Sequence, residues 1–134
     1  ALRFATPAGD STASADAVML ALGGGSWERL GSDGAWAPLL AERGVSARVV
    51  SVPSFELLAA ADAATRRSVI GAAKVNLAVE AAVRQGWDAI IGSDGLFVGM
   101  SGFGASAPYK DLYKHFGITP EKVSETALSR LAKT

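Results

Sequence analysis

The chain has 134 residues, 49% of them hydrophobic and 19% charged, and its 13 basic residues balance its 13 acidic ones. This length allows one domain with one core, and the composition is typical of a globular protein. The absence of excess positive charge argues against nucleic acid or a membrane surface as a partner. The chain has no cysteine, which excludes disulfides and thiolate nucleophiles and favours a reducing compartment, here taken as the cytoplasm.

The N-terminal segment is rich in small and polar residues and has no apolar signal sequence. We interpret residues 1–16 as a lead or linker with a candidate edge strand at residues 2–4, and residues 17–134 as the domain. The chain begins with Ala1 and not with Met, so we expect it to be part of a longer protein. Its longest apolar runs, such as Ala17 to Leu22, are far below the roughly 20 residues that a membrane helix needs.

Short apolar runs and longer periodic segments alternate along the rest of the chain. The short runs predict buried strands, at Ala17 to Leu22, Ala47 to Val52, Val75 to Glu80 and Leu96 to Met100. The periodic segments predict four helices. The first begins at Pro38 and ends before Gly44, and the second follows Ser54 and ends at about Ala61. The third runs from Pro108 to Phe116, and the fourth, capped by Thr119, runs from Pro120 to about Ala132. The glycines and proline between Gly23 and Pro38 disfavour a continuous first crossover helix.

Strands that alternate with helices predict an α/β fold. We expect a three-layer α/β/α domain with a mostly parallel sheet of about five strands and one antiparallel edge strand. Ligands of such sheets bind beyond the carboxyl ends of the strands. Four segments that follow predicted strands are therefore candidate sites: Gly23 to Ser26, Pro53 to Ser54, Glu80 to Ala82, and Ser101 to Pro108.

The last of these segments contains "GASAP", which is close to the nucleophile elbow GxSxG but has Pro108 in place of the final glycine. The single histidine, His115, lies further along the next helix between lysines and is expected to be solvated. Ser106 is therefore better explained as the N-cap of that helix than as a nucleophile. Glu80 ends a buried strand, where a carboxylate needs a partner, and we expect an ion pair or backbone N–H groups.

The C-terminal part "GMSGFGASAPYKDLYKHFGITPEKV" resembles the end of transketolases, whose loop "FGASAP" precedes a helix that ends in "FG". The segments "ARVVSVPSFELL" and "KVNLAVEAA" resemble the family's second and third strands, so the resemblance runs from about Ala17 to the end. The sequence departs from the family after the first strand, where "GGGSWERLGSDGAWAPLL" replaces the usual "GSEV" and long helix.

The resemblance implies a C-terminal structural and assembly domain of an enzyme that transfers a two-carbon ketol unit between sugar phosphates. It implies thiamine diphosphate and a divalent metal, Mg or Ca, in the full-length enzyme, and it implies preceding domains and a second subunit of a homodimer as partners. We expect this chain alone to be inactive, with no catalytic, cofactor-binding or metal-binding residue of its own. Structural or interface roles are expected for Glu80, Phe103, Gly104, Ser106 and Pro108.

Two alternatives remain open from the residues. The first is a stand-alone binding or regulatory domain for a small anionic or nucleotide ligand at the carboxyl ends of the strands. The second is a small serine hydrolase that uses Ser106.

Overall fold

The computed structural model describes residues 2–6, 9–13, 17–21 and 36–133. Its strands are β1 (Leu2–Thr6), β2 (Gly9–Ala13), β3 (Ala17–Ala21), β4 (Ala47–Ser51), β5 (Val75–Val83) and β6 (Leu96–Met100). Its helices are α1 (Trp36–Ala41), α2 (Phe55–Ala60), α3 (Ala63–Ile70), α4 (Asp88–Ile91), α5 (Tyr109–His115) and α6 (Pro120–Leu131). None of these helices is long and apolar enough to cross a membrane.

Within the described ranges, the main sheet has four strands in the order β4-β3-β5-β6, and all neighbours are parallel. The four strands predicted for this sheet are confirmed, although β5 continues three residues beyond Glu80 to Val83. The register between β5 and β6 becomes irregular between Val79 and Val83. The extension places additional residues of β5 at the carboxyl edge of the sheet.

The prediction of an antiparallel edge strand at residues 2–4 is wrong for the main sheet. The segment is a strand, but β1 pairs antiparallel with β2 in a separate two-stranded sheet. The two strands are separated by only two residues in the sequence, a spacing that favours local hairpin pairing. The backbone hydrogen bonds of β1 are therefore made to β2.

Two hydrophobic clusters pack against the sheet. Leu77 belongs to the first cluster, with residues of α1 and α6, and the next residue, Ala78, belongs to the second, with residues of α2 and α4. Since successive side chains of a strand point to opposite faces, the clusters lie on opposite faces of the sheet. The first consists of Leu40, Val75, Leu77, Val98, Val123 and Ala127, and the second of Val50, Val52, Ala78, Trp87 and Ile91.

The helix ends follow the capping signals of the sequence in most cases. Ser54 accepts a hydrogen bond from the backbone N–H of Leu57 at 3.2 Å, and Thr119 accepts one from Lys122 at 3.3 Å, as expected for N-caps. Helix α1 begins two residues before Pro38, which is tolerated because the N–H groups of a first turn have no intrahelical partner. The segment from Gly23 to Pro38, where a long helix was disfavoured, lies largely outside the described residues.

Two helices were not predicted. Helix α3 is introduced by Asp62, whose carboxylate accepts hydrogen bonds from the N–H groups of Ala64 and Thr65 at 2.8 and 2.9 Å. Its last turn is tied to the sheet by Arg48, a buried residue of β4 that donates to the carbonyl of Val69. Burial lowers the pKa of Arg48 to about 10. Helix α4 is a single turn.

Candidate interface at the carboxyl edge of the sheet

The carboxyl ends of the parallel strands meet at one edge of the main sheet, and the segments that follow β4, β5 and β6 leave from that edge. Three of the four candidate segments predicted from the sequence are therefore brought to the same side of the molecule: Pro53 to Ser54, Glu80 to Ala82, and Ser101 to Pro108. The fourth segment, Gly23 to Ser26, lies outside the described residues.

Large hydrophobic side chains are exposed on all three segments or directly after them. Leu57 in the first turn of α2 is 73% exposed, Val83 at the end of β5 is 40% exposed, Phe103 is 100% exposed and Tyr109 is 45% exposed. These four residues, here called the edge surface, are the exposed large hydrophobic side chains within residues 36–133. A concentration of such residues at one edge is typical of an interaction site, whereas scattered single ones are ordinary.

The loop from Ser101 to Pro108 is solvent-exposed at every residue and carries no charged side chain. Phe103 and Gly104, two of the predicted interface residues, lie in its middle. A neutral loop can be covered by another surface without the cost of removing a charge from water. Its composition therefore suits contact with an apolar surface better than contact with an ionic ligand.

The prediction that Ser106 caps α5 is wrong. The N-cap position is occupied by Pro108, with φ −54° and ψ 139°, and no side chain accepts a hydrogen bond there. Proline disfavours a helical conformation for the residue before it, which keeps Ala107 out of the helix. Pro108 itself has an extended ψ, so the helix begins at Tyr109. Ser106 thus lies two residues too early to act as the cap.

Helix α5 is also less buried than its aromatic pattern predicts. The pattern of Tyr109, Leu112, Tyr113 and Phe116 indicates one packed face, yet no residue of α5 is fully buried. The rings of Tyr109 and Tyr113 contact each other edge to face, with centroids 6.0 Å apart. His115 is exposed, as expected. The helix therefore retains apolar surface beside the loop.

Glu80 lies at the irregular part of β5 and is partly buried. Its Oε2 atom is buried without a hydrogen-bond partner. Of the two kinds of partner expected, an ion pair is absent among the described residues and a backbone N–H group is present. Burial raises the pKa of this carboxyl, and a hydrogen bond from the backbone N–H of Ala81 offsets the change only in part. The strand position of Glu80 could be predicted from the sequence, but the absence of an ion-pair partner within the described ranges could not.

The family resemblance implies thiamine diphosphate and a divalent metal in the full-length enzyme. A metal site would require several ligating side chains close together. Among the described residues, no group of three or more histidine or acidic side chains is arranged to hold a metal ion. Glu80 lies near the carboxyl end of β5, and its Oε2 atom is buried. The described residues therefore offer no such cluster to a metal ion, and we assign no step of the chemistry to them.

Sequence reasoning missed two members of the edge surface. Val83 was not identified because the strand was expected to end at Glu80. The run "VEAAV" contains no proline or glycine that would end the strand, and β5 extends to Val83. Leu57 was assigned to helix α2 without a direction. Phe55 and Leu58 pack against the second cluster while Leu57 points outward, a distinction that the three closely spaced apolar residues do not reveal.

Comparison with known proteins identifies the family. The family model described as the transketolase-like TK C-terminal domain matches residues 10–119. The chain belongs to the transketolase family. It is 54% identical over 95 residues to the transketolase of Sinorhizobium medicae (strain WSM419), a match that covers 71% of this chain and 14% of that protein.

Solved structures lead to the same family. The fold is similar to transketolase from Leishmania mexicana, with a TM-score of 0.72 and 38% identity over 92% of this chain and 17% of that one. It is also similar to transketolase from Pichia stipitis in complex with sedoheptulose 7-phosphate, with a TM-score of 0.74 and 28% identity over 91% of this chain and 17% of that one. The chain thus corresponds to a transketolase C-terminal domain, and a stand-alone ligand-binding domain is not favoured. It spans about one seventh of the curated relatives' length.

Proposed function

We propose that this chain is a structural and assembly domain of a transketolase, and that its edge surface contacts a preceding domain or the second subunit of a homodimer. The observation that supports this most directly is the grouping of Leu57, Val83, Phe103 and Tyr109 at one edge of the sheet. The sequence relatives are about seven times longer than the matched segment, so a full-length protein would have ample surface to cover this edge.

The energetic gain from covering the edge surface is substantial. Moving a fully exposed Phe, Leu or Val side chain out of water contributes about 1.5–3 kcal/mol. Phe103 would provide most of that range because it is 100% exposed, and Leu57 would provide a large part of it at 73%. Against these gains stand the costs of association and of ordering side chains, which reduce the net affinity.

For the full-length enzyme, family membership supports the transfer of a two-carbon ketol unit between sugar phosphates with thiamine diphosphate and a divalent metal. The complex of the Pichia stipitis enzyme with sedoheptulose 7-phosphate agrees with such substrates. In this proposal the chemistry takes place in other domains, and the C-terminal domain contributes the arrangement of the parts. A cytoplasmic location is part of the proposal and is supported by a chain without cysteine.

The proposal also includes the finer architecture of the domain. The two clusters on opposite faces of the sheet support a three-layer α/β/α arrangement. Residues 1–16 are proposed as a lead that contains the β1–β2 hairpin, and residues 17–134 as the domain.

The test compares the isolated chain with the full-length transketolase that carries it. The double variant Leu57→Ser and Val83→Ser should lower the unfolding midpoint of the isolated chain only modestly, because Leu57 is 73% and Val83 40% exposed. In the full-length enzyme the same variant should weaken assembly, measured by sedimentation, and lower the melting temperature. Ketol transfer by the isolated chain, or a full-length variant that both assembles and melts like the wild type, would contradict the proposed function.

A further inference from the structure

The loop at the carboxyl end of β6 contains two glycines that the domain itself does not require. A Cβ atom built on Gly102 would have no other heavy atom within 4 Å, and one built on Gly104 would have only the Cε atom of Met100, at 3.7 Å. Neither glycine has the positive φ that disfavours other residues. Alanine would therefore fit at both positions of the domain as it stands.

Gly99, three residues earlier in β6, shows the opposite behaviour. A Cβ atom there would lie 2.4 Å from the ring of Phe97 and 2.6 Å from the backbone oxygen of Glu80. Glycine at this position is explained by packing within the domain. Packing within the domain therefore explains the glycine of the strand but not the two glycines of the loop.

Between the two unexplained glycines stands Phe103, which is fully exposed. An aromatic side chain offers a large contact area, and buried aromatic anchors dominate the energetics of many interfaces. Glycines on both sides of such an anchor permit another backbone to approach closely. The loop therefore has one protruding apolar side chain and a bare backbone on each side of it.

We propose that the segment 101–108 is a docking loop, in which Phe103 enters an apolar pocket on the preceding part of the transketolase and the surface around that pocket packs directly against the backbone at Gly102 and Gly104. This inference rests on the proposed assembly function and adds to it a named anchor and the chemistry of its partner. The partner surface is apolar and uncharged at the pocket, because the loop brings no charge to it.

The length of the relatives favours this occupant. The matched region is 14% of the Sinorhizobium medicae enzyme and 17% of the Leishmania mexicana chain. Most of the surface available to the loop therefore belongs to polypeptide other than this domain. A second copy of this domain is the alternative occupant, and the experiment distinguishes the two.

The chain has no cysteine, so single cysteines introduced into it report accessibility through their alkylation rates. We would place one at Ala105→Cys in the loop, one at Leu57→Cys and one at Val83→Cys on the rest of the edge surface, and a control at Ser129→Cys on the exposed side of α6. Each variant is measured in the isolated chain and in the full-length transketolase that carries it. Circular dichroism confirms that each variant is folded.

The docking loop predicts that Ala105→Cys reacts at least about tenfold more slowly in the full-length enzyme than in the isolated chain, while Ser129→Cys reacts equally in both. Adding Gly104→Ala or Phe103→Ala should restore fast alkylation of Ala105→Cys, and Gly104→Ala should not lower the unfolding midpoint of the isolated chain.

Protection of Leu57→Cys and Val83→Cys without protection of Ala105→Cys would overturn the docking loop but not the assembly function. Equal reactivity of all three positions in both proteins would overturn the assembly function itself. Protection of Ala105→Cys in the isolated chain that increases with its concentration would identify a second copy as the occupant and overturn the proposal. Unchanged protection after Gly104→Ala would show that no surface packs closely on the glycine.

Discussion

The replacement Gly99→Ala tests the packing beneath the loop, where β5 and β6 are joined. The added methyl group would lie 2.4 Å from the ring of Phe97 and 2.6 Å from the backbone oxygen of Glu80. Phe97 could rotate only at the expense of the second hydrophobic cluster, against which it packs, and the backbone oxygen could move only with its strand. Inserting atoms into packed regions commonly costs about 1–3 kcal/mol. We expect a loss of about 2–3 kcal/mol here, because the methyl group clashes on two sides.

The assay is urea unfolding of the isolated chain followed by circular dichroism. With roughly 1–3 kcal/mol per molar of urea for small domains, Gly99→Ala should lower the midpoint by roughly 0.7–3 M. The matched control is Gly102→Ala, which has no neighbour within 4 Å. Both changes restrict the unfolded chain similarly, so that contribution cancels between them. Equal midpoints for the two variants would refute the packing argument.

Three further predictions concern stability. Trp87→Ala should cost about 3–5 kcal/mol in chemical unfolding, because Trp87 is 1% exposed and contacts Phe55 edge to face; a loss below 1 kcal/mol would mean that Trp87 is not a core residue. Glu80→Gln should be more stable than the wild type near neutral pH, because the raised pKa of Glu80 in the folded state makes its ionisation destabilising. The difference in stability should disappear as the pH falls into the ordinary carboxyl range, and a difference independent of pH would contradict this. Thr119→Ala should cost about 1 kcal/mol by removing the N-cap of α6. The control Thr126→Ala should be nearly neutral, because the Thr126 hydroxyl donates to the Lys122 carbonyl of its own helix. Equal losses of stability in the two variants would argue against capping.

Strands and long helices could be predicted from the sequence because their signals are local. The run Leu96 to Met100 is bounded by turn residues, and the Thr119-Pro120 pair fixes the start of α6. Helix α3 escaped prediction because "AATRRSVI" has little apolar periodicity. Its clearest local signal is the capping residue Asp62, whose side chain accepts hydrogen bonds from Ala64 and Thr65.

The candidate interface could be predicted only in part, because its features depend on several segments at once. The motif around Phe103 and Gly104 indicated a site, and parallel strands predicted that the segments would meet at one edge. Two features required the three-dimensional arrangement: the unpartnered Oε2 atom of Glu80 and the outward direction of Leu57. The same holds for the contrast between Gly99 and Gly104, since clearance around a missing side chain depends on distant residues.

We propose the carboxyl edge of this domain as an assembly surface of a transketolase. The measurement that tests it most directly is the exposure of Phe103 in an experimental structure of the full-length enzyme. In the isolated domain Phe103 is 100% exposed. In the full-length enzyme we expect Phe103 to be buried against the preceding domains. A full-length structure in which Phe103 and the rest of the edge surface remain in solvent, while another face of the domain is covered, would contradict it.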